Sequence, residues 1–475
     1  MASTKHEFPT VHFYDQDFVD IYEQTWAWIA DYWQRGTPEN GLQARFFVSP
    51  EADRIDAFDA VLSTFFLVYS NRNYPATNQL DNFYAKQEDS GAIRAQYLIS
   101  DGSVVEDPEN PEGLAPPLFA WAEYNLFHKA GNKRRVKDVV PILERHFLWL
   151  QDNFRDESGM YAIPHAATRM GNSPRAKAHY FVDFNVQQAM NAAYLAELGH
   201  VLNDKDIEFR YRREYFSLKT RINQYMWNDE AGVYYDLYQD RTQVGIKTVA
   251  TFWALITDIP NEARVAKLLE HLKNPKTFGS ENPFPSLAMD EELFSTDGEG
   301  FRGSVFPPFT FMVIKGLERQ QQFELAREFA IRHLYYMLDT LHPEGETQGS
   351  VWEAYKPMHD GPATWSEHDQ FPREMHIPYI GLSTIALMIE NVVGLSVSLP
   401  RKTVRWIVPT LEIMGIENLD LRRNTVTILS QKSGRGWEIR HESEKLYYFT
   451  LDLLGEKQKT LPIPSGKCSM LVDKL

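Results

Sequence analysis

Carboxylates set in rigid, aromatic-rich frames are the residues of this sequence best suited to chemistry. In GSVWEAYKP, Glu353 stands between Trp352 and Tyr355 with Pro357 close behind; in RIDAFDAVLSTFF, Asp56 and Asp59 open an apolar run. A third stretch, TRMGNSPRAKAHYFVDFNVQQAMN, combines a tight Gly171–Asn172–Pro174 loop with Arg175 and, at the start of the next apolar run, Asp183. Two carboxyl groups, one protonated and one ionised, are what breaking a glycosidic bond usually takes. With inversion at the anomeric carbon they stand about 6.5–9.5 Å apart, leaving room for water. Such a pair need not be close in sequence, so each candidate is weighed on its local setting. Glu353 fits a carboxylate held at a cleft floor, and equally a surface acid among packed rings. Asp59 could bond substrate hydroxyls, or could simply favour a helix start through the macrodipole; Asp56 competes for either role. Asp183 has the position of a helix N-cap, and Arg175 could orient an oxygen or an acid group.

Other chemistries find less support. The stretch HDGPATWSEHDQFPREMH holds His359, His368 and His376 with Glu367, Asp369 and Glu374, but its spacings match no HExxH-type zinc pattern, and it reads as solvated loop polarity. The single cysteine, Cys468, excludes a disulfide framework and any metal site needing several thiolates. Neither a Gly-rich phosphate loop nor a GxSxG element occurs, so no metal and no cofactor is expected. A net charge of −16 repels nucleic acid and anionic membrane. A small neutral carbohydrate suits that field better than a polyanion. Aromatics at 13% would serve a sugar cleft, although a large core absorbs most of them. No stretch reaches about 18 apolar residues, and MASTKHEFPTVHFYDQDF has no apolar core of signal-peptide type; a cytoplasmic location is expected.

The elements that must position these residues are mostly helical. KRRVKDVVPILERHFLWLQDNF places Val136, Val140, Leu143, Phe147 and Leu150 on one stripe. Asp183–Leu202 is apolar around much of its circumference, as a helix buried between neighbours would be. Related patterns recur from Asp17–Trp33 to Gly381–Val393, roughly a dozen in all. Helices joined in sequence by short turns pack as antiparallel neighbours, which predicts a closed ring of helical hairpins whose loops converge at one end and carry the chemistry. After Ser398 the pattern changes: TVRWIVP, TVTILSQ, GWEIRHES, KLYYFTLDLL and CSMLVD read as about five strands. The division expected is a helical domain over 1–398 and a small β appendage over 399–475.

Taken in order, several stretches resemble the mannosylglycerate-hydrolase-like glycoside hydrolases, related to glycoside hydrolase family 63 and more distantly to the trehalases. They are FDAVLSTFFLVYSNRNYPATNQLDNFYAKQEDSGAIR, APPLFAWAEYNLF, MGNSPR with FVDFNVQQAMNAAYLAEL, WNDEAGVYYDL, GEGFRGSVFPPFTFMVIKGL, SVWEAY and GLSTIALMIENVVGL, and the β-rich tail is similar too. The resemblance implies an (α/α)6 toroid and an inverting, exo-acting α-glycosidase of the glucosidase or mannosidase class. It makes Glu353 the general base, flanked by Trp352 and Tyr355, and Asp59 a ligand for sugar hydroxyls. Phe301, Arg302, Gly303 and Phe306 would line the cleft. The family often has Trp where Phe58, Phe301 and Phe306 stand, so the stacking surface is altered. Its Gly-Met-Asp-Asn-x-Pro-Arg loop supplies the general acid, and here that Asp is Gly171. Asp183, just beyond the loop, is the replacement donor expected, with Asp156 and Glu157 in the DESG turn weaker candidates. The alternative is a carbohydrate-binding protein that kept the fold and lost turnover.

Overall fold

The structure, a computed structural model, describes residues 8–341, 350–422, 424–434, 436–454 and 458–472. Six apolar segments form its inner layer: the helices Ala57–Leu67, Phe119–Ala130, Val182–Leu202 and Pro307–Arg319, the 3-10 segment Val249–Ile256 and the π-wound segment Leu382–Val392. Each packs on the next in the order of the chain, and the last returns to the first. Val182–Leu202 shows why such a segment stays inside. It is buried around most of its surface, and its polar side chains are satisfied locally: Asn185 bonds both backbone groups of Tyr161, and Gln188 donates to the Tyr161 hydroxyl.

One-sided helices cover this layer. Lys133–Phe154, capped by the Asn132 side chain, buries Val136, Val139, Val140, Leu143, Phe147 and Leu150 against Phe119–Ala130 and Val182–Leu202. Lys205–Arg221, capped by Asp204, lies on Val182–Leu202, and Phe323–Leu341 lies on Pro307–Arg319 and Leu382–Val392. The pattern expected over Asp17–Trp33 is a helix only to Ile29; Trp33 pairs with Phe47 in a two-residue ladder. A short helix, Thr77–Tyr84, was not expected, because its eight residues hold too little periodicity to read.

The chain beyond Gly394 contributes eight strands among the described residues, more than the five expected. Three strands were missed: Leu395–Ser398, a run of only four residues, and two with irregular chemistry. Met414–Asp420 contains a bulge with Asn418 in the left-handed region, and Lys459–Ile463 holds Pro462 on a sheet edge, where a missing donor is tolerated. The expected CSMLVD strand runs Gly466–Val472, its Asp473 lying outside the described residues. A five-stranded and a four-stranded sheet result. Thr10–His12 pairs with Met414–Asp420, so the β layer draws on both ends of the chain. Among the described residues no helix is long and apolar enough to cross a membrane.

The closed cycle depends on close approaches at small residues. A Cβ on Gly316 would lie 2.7 Å from the Leu255 side chain of the neighbouring inner segment. Gly316→Ala gains about 1 kcal/mol of helix propensity, but overpacking a tight contact costs roughly 1–3 kcal/mol. The variant should therefore unfold at lower urea concentration, with a net loss of up to about 2 kcal/mol. An unchanged or raised midpoint would mean the two segments are not this close.

Candidate active site

The helix Ala57–Leu67 starts with two carboxyl groups one turn apart, and they are used differently. Asp56 is the N-cap, in extended backbone, accepting from the amides of Phe58 (2.9 Å) and Asp59 (3.3 Å). Its other oxygen accepts from Gln96 Nε2 at 2.7 Å and faces Arg169 Nη2 at 2.7 Å. Arg169 reaches it from a left-handed backbone position (φ 63°) that ends the turn His165–Thr168. Asp59, half-buried, has no hydrogen-bond partner for its carboxyl group among the described residues. Burial, and then the neighbouring Asp56 charge, push its pKa from 3.8 up to about 7; Arg373 and Arg169 pull against this and Glu353 adds to it. Asp56, Asp59, Arg169 and Arg373 share the wall of a cavity of about 330 Å³, with Gln96, Asn82, Phe47 and Phe83 around it.

Glu353 is not itself in the cavity wall; Arg373, which is, holds it beside the cavity. The Arg373 backbone N–H and Nε donate to Glu353 Oε2 at 3.1 and 3.0 Å, and Nη2 donates to Oε1 at 2.8 Å. The backbones are tied as well, Glu353 N–H donating to the Arg373 carbonyl at 2.9 Å. A carboxylate offers about four acceptor positions, so one on Oε1 stays clear of these donors. Tyr355 braces the stretch: its hydroxyl accepts from the Trp352 amide, and its backbone pairs with Val305 on both sides. Trp352 is half-buried and bridges to Glu374.

The MGNSPR loop is built otherwise than expected. A Cβ on Gly171 would stand 2.8 Å from the Trp365 ring, so an indole occupies the space of a side chain at this position. Asn172 bolts the loop to the GEGFRG turn, accepting from the Phe301 amide at 2.7 Å and donating to the Glu299 carbonyl at 3.0 Å, while Arg302 Nε donates to its carbonyl at 3.3 Å. Gly303 (φ 150°) is required, since a Cβ there would meet the Ser295 carbonyl at 2.3 Å. Phe301 and Phe306 stack on each other at 4.3 Å with planes 4° apart, edged by Trp365 and Phe371. Their faces pack against one another, and both rings are buried.

Arg175 and Asp183 are brought together, but not to the cavity. Arg175 is fully buried and pairs with Asp183 at 2.6 Å and with Asp236 at 3.5 Å. Asp183 also accepts from the Phe184 amide, and Asp236 from the Val182 amide at 2.7 Å. Burial, then the Asp183 charge, raise Asp236 to about 6 against the pull of Arg175. This triad fastens the loop to the start of Val182–Leu202, and none of its members lines the Asp59 cavity. Asp156 is turned to the Tyr180 hydroxyl and Ser158, and Glu157 is exposed. The described residues contain no group of three His, Cys, Asp or Glu placed to hold a metal.

Sequence reasoning passes over Arg169, Arg373 and Trp365. Arg373 sits in the stretch that reads as solvated polarity, and Arg169 six residues before the arginine that draws attention. The available signal is at Arg373 alone, the single Lys or Arg in a stretch that holds Asp360, Glu367, Asp369 and Glu374.

The chain belongs to the glycoside hydrolases, specifically to the mannosylglycerate hydrolase MGH1-like glycoside hydrolase family, whose domain matches residues 72–371. A trehalase C-terminal domain matches residues 394–475. An uncharacterized protein of Borreliella burgdorferi is 47% identical over 473 residues, 99% of this chain and 100% of that one. Among solved structures, the GH63 mannosylglycerate hydrolase from Thermus thermophilus in complex with glucose aligns with a TM-score of 0.60 at 16% identity, over 78% of this chain and 100% of that one. A sialidase aligns with a TM-score of 0.65 at 13% identity, over 98% of this chain, which spans only 40% of the sialidase. At such identities the structural likeness concerns the fold.

The raised Asp59 has a stability consequence. Its folded-state pKa of about 7 exceeds the ordinary 3.8, so between about pH 4 and pH 7 the folded protein holds a proton that the unfolded chain has released. Asp59 thus opposes folding increasingly as pH rises through that window, and fully above it. Asp59→Asn is expected to raise the melting temperature at pH 8 and to change it little at pH 4. An equal effect at both pH values would contradict the raised pKa.

Proposed function

We propose that this protein is an inverting, exo-acting glycosidase for a small α-glucoside or α-mannoside. Its body is an (α/α)6 toroid over residues 1–398, with 399–475 as a β-rich appendage. The closed cycle of six inner segments supports the toroid, and membership of a glycoside hydrolase family supports hydrolysis. The observation that carries the mechanism is Asp59, a carboxyl group without a partner in the same cavity wall as the arginine that grips Glu353.

In this reading Glu353 is the general base. Its free position on Oε1 holds a water and takes the proton as the water oxygen attacks the anomeric carbon. The departing glycosidic oxygen takes a proton from Asp59, which keeps one at neutral pH. A carboxyl group whose surroundings keep it protonated near neutral pH has what a general acid needs. Asp183 is given no such role, because Arg175 and the Phe184 amide hold it in a buried pair outside the cavity. Arg175 becomes a positioning residue for the loop. A cavity of about 330 Å³ is near the lower end of small-molecule sites, roughly 300–1,000 Å³. That size suits one terminal sugar and not the interior of a chain.

One observation favours a second reading, a carbohydrate-binding protein without turnover: Trp365 covers Gly171, where the family carries its acid. Aryl glucosides and mannosides with leaving groups of graded acidity, together with glycosyl fluorides, separate the cases. Glu353→Gln should lower kcat by about 10²–10⁴ on every substrate. Asp59→Asn should do the same for poor leaving groups, spare the fluorides, and remove an alkaline limb near pH 7 from kcat/KM. Asp183→Asn should leave the leaving-group dependence unaltered. Equal losses for Asp59→Asn across all leaving groups would leave it a hydroxyl ligand only. Saturable sugar binding with no hydrolysis of any substrate would decide for the second reading.

A further inference from the structure

A second cavity, of about 460 Å³, lies at the other end of the helix that carries Asp59. Phe65, Lys129, Ile256, Arg319 and Asn391 line it, each from the C-terminal part of an inner segment, and strands Leu395–Ser398 and Thr403–Val408 close it. It is therefore the junction of the helical layer with the β layer. It is also unlike its surroundings in charge. Five Lys and Arg side chains face two Glu in its wall, in a chain of net charge −16.

Helix C-termini attract cations through the macrodipole, and much of this charge is accounted for within the protein. Glu390 pairs with both Lys129 and Lys315, Arg319 pairs with Asp258, and Arg405 with Asp452. Three donors are left over. Arg401 makes no ion pair or hydrogen bond among the described residues; burial, and then the Arg401 charge, depress the protonation of His128, a neighbour in the wall. Asn125 Nδ2 and Arg405 Nε are buried and have no acceptor. A buried N–H left unmade costs roughly 1–3 kcal/mol, so two of them on residues of one cavity wall favour a ligand that accepts. Lys129 and Lys315 add to the demand. Burial pushes both below the ordinary lysine range, and each works against the other or is only partly offset by Glu318. Trp121, Tyr124 and Tyr194 supply ring faces in the same wall.

We propose that this cavity binds a small organic anion of sugar-phosphate size, its phosphate group accepting from Arg401, Arg405 Nε and Asn125 Nδ2 and its ring lying along the aromatic wall. The site does not depend on the hydrolase reading. Its charge sets it apart from the Asp59 cavity, where three Asp stand against three Arg.

The test uses the full chain and isothermal titration at constant ionic strength, with glucose 6-phosphate, inorganic phosphate and glucose as probes. Glucose 6-phosphate should bind saturably, with at least tenfold loss of affinity in Arg401→Gln and a similar loss in Asn125→Leu. Arg373→Gln, in the other cavity, should leave that affinity unchanged. Arg401 is exposed, so its variant tests the site without a folding defect. No saturable binding of glucose 6-phosphate, binding that survives both wall substitutions, or binding lost in Arg373→Gln would each overturn the proposal. So would a loss of glucose affinity in Arg401→Gln as large as that of its phosphate, since glucose held only in the Asp59 cavity should not respond to Arg401.

Discussion

A carboxyl group sunk in a protein without a hydrogen-bond partner opposes folding, and Asp59 is such a group at the heart of this structure. Everything around it serves to keep it there and to keep it unsatisfied. Asp56 takes the role Asp59 would otherwise fill, capping the helix with two amide bonds and leaving Asp59 one turn inside. Arg169 is turned to Asp56 and Arg373 to Glu353. Each arginine is committed to another carboxylate, so neither neutralises Asp59 fully, and burial prevails over both.

Two arginine–carboxylate clamps also decide which loops meet. Arg169 belongs to the turn before MGNSPR, and Arg373 to the stretch after Trp365. By gripping Asp56 and Glu353 they draw both loops to the mouth of one cavity. The Arg175–Asp183–Asp236 triad anchors the first loop from behind, and Asn172 bolts it to the GEGFRG turn. The charged residues therefore divide into those that hold backbone in place and those that remain free to act, and the division follows from which carboxylate finds a guanidinium.

That division is what a sequence hides. The frame of Glu353, Trp352 to Pro357, is local and distinctive in the sequence, but its clamp by Arg373, 20 residues on, is not. Asp59 was expected as a ligand for sugar hydroxyls, and its missing partner was not readable, since that depends on Asp56 winning the N-cap. Asp183 looked the same as a helix cap, a cleft acid or a buried ion-pair partner, and only the position of Arg175 in space distinguishes them. Phe301 and Phe306 read as a sugar-stacking surface, yet they stack on each other, a contact five residues apart that periodicity does not reveal. The helical body was readable from its stripes. The β layer was undercounted where a bulge or a proline broke the alternation and where one strand, Leu395–Ser398, is only four residues long.

Carbon-13 NMR of protein labelled at the aspartate carboxyl carbon, with the Asp59→Asn spectrum subtracted, tests the central claim directly. One resonance should titrate with a midpoint near pH 7. A midpoint near 4 would mean that Asp59 is an ordinary solvated or ion-paired carboxylate, with no proton to give at neutral pH.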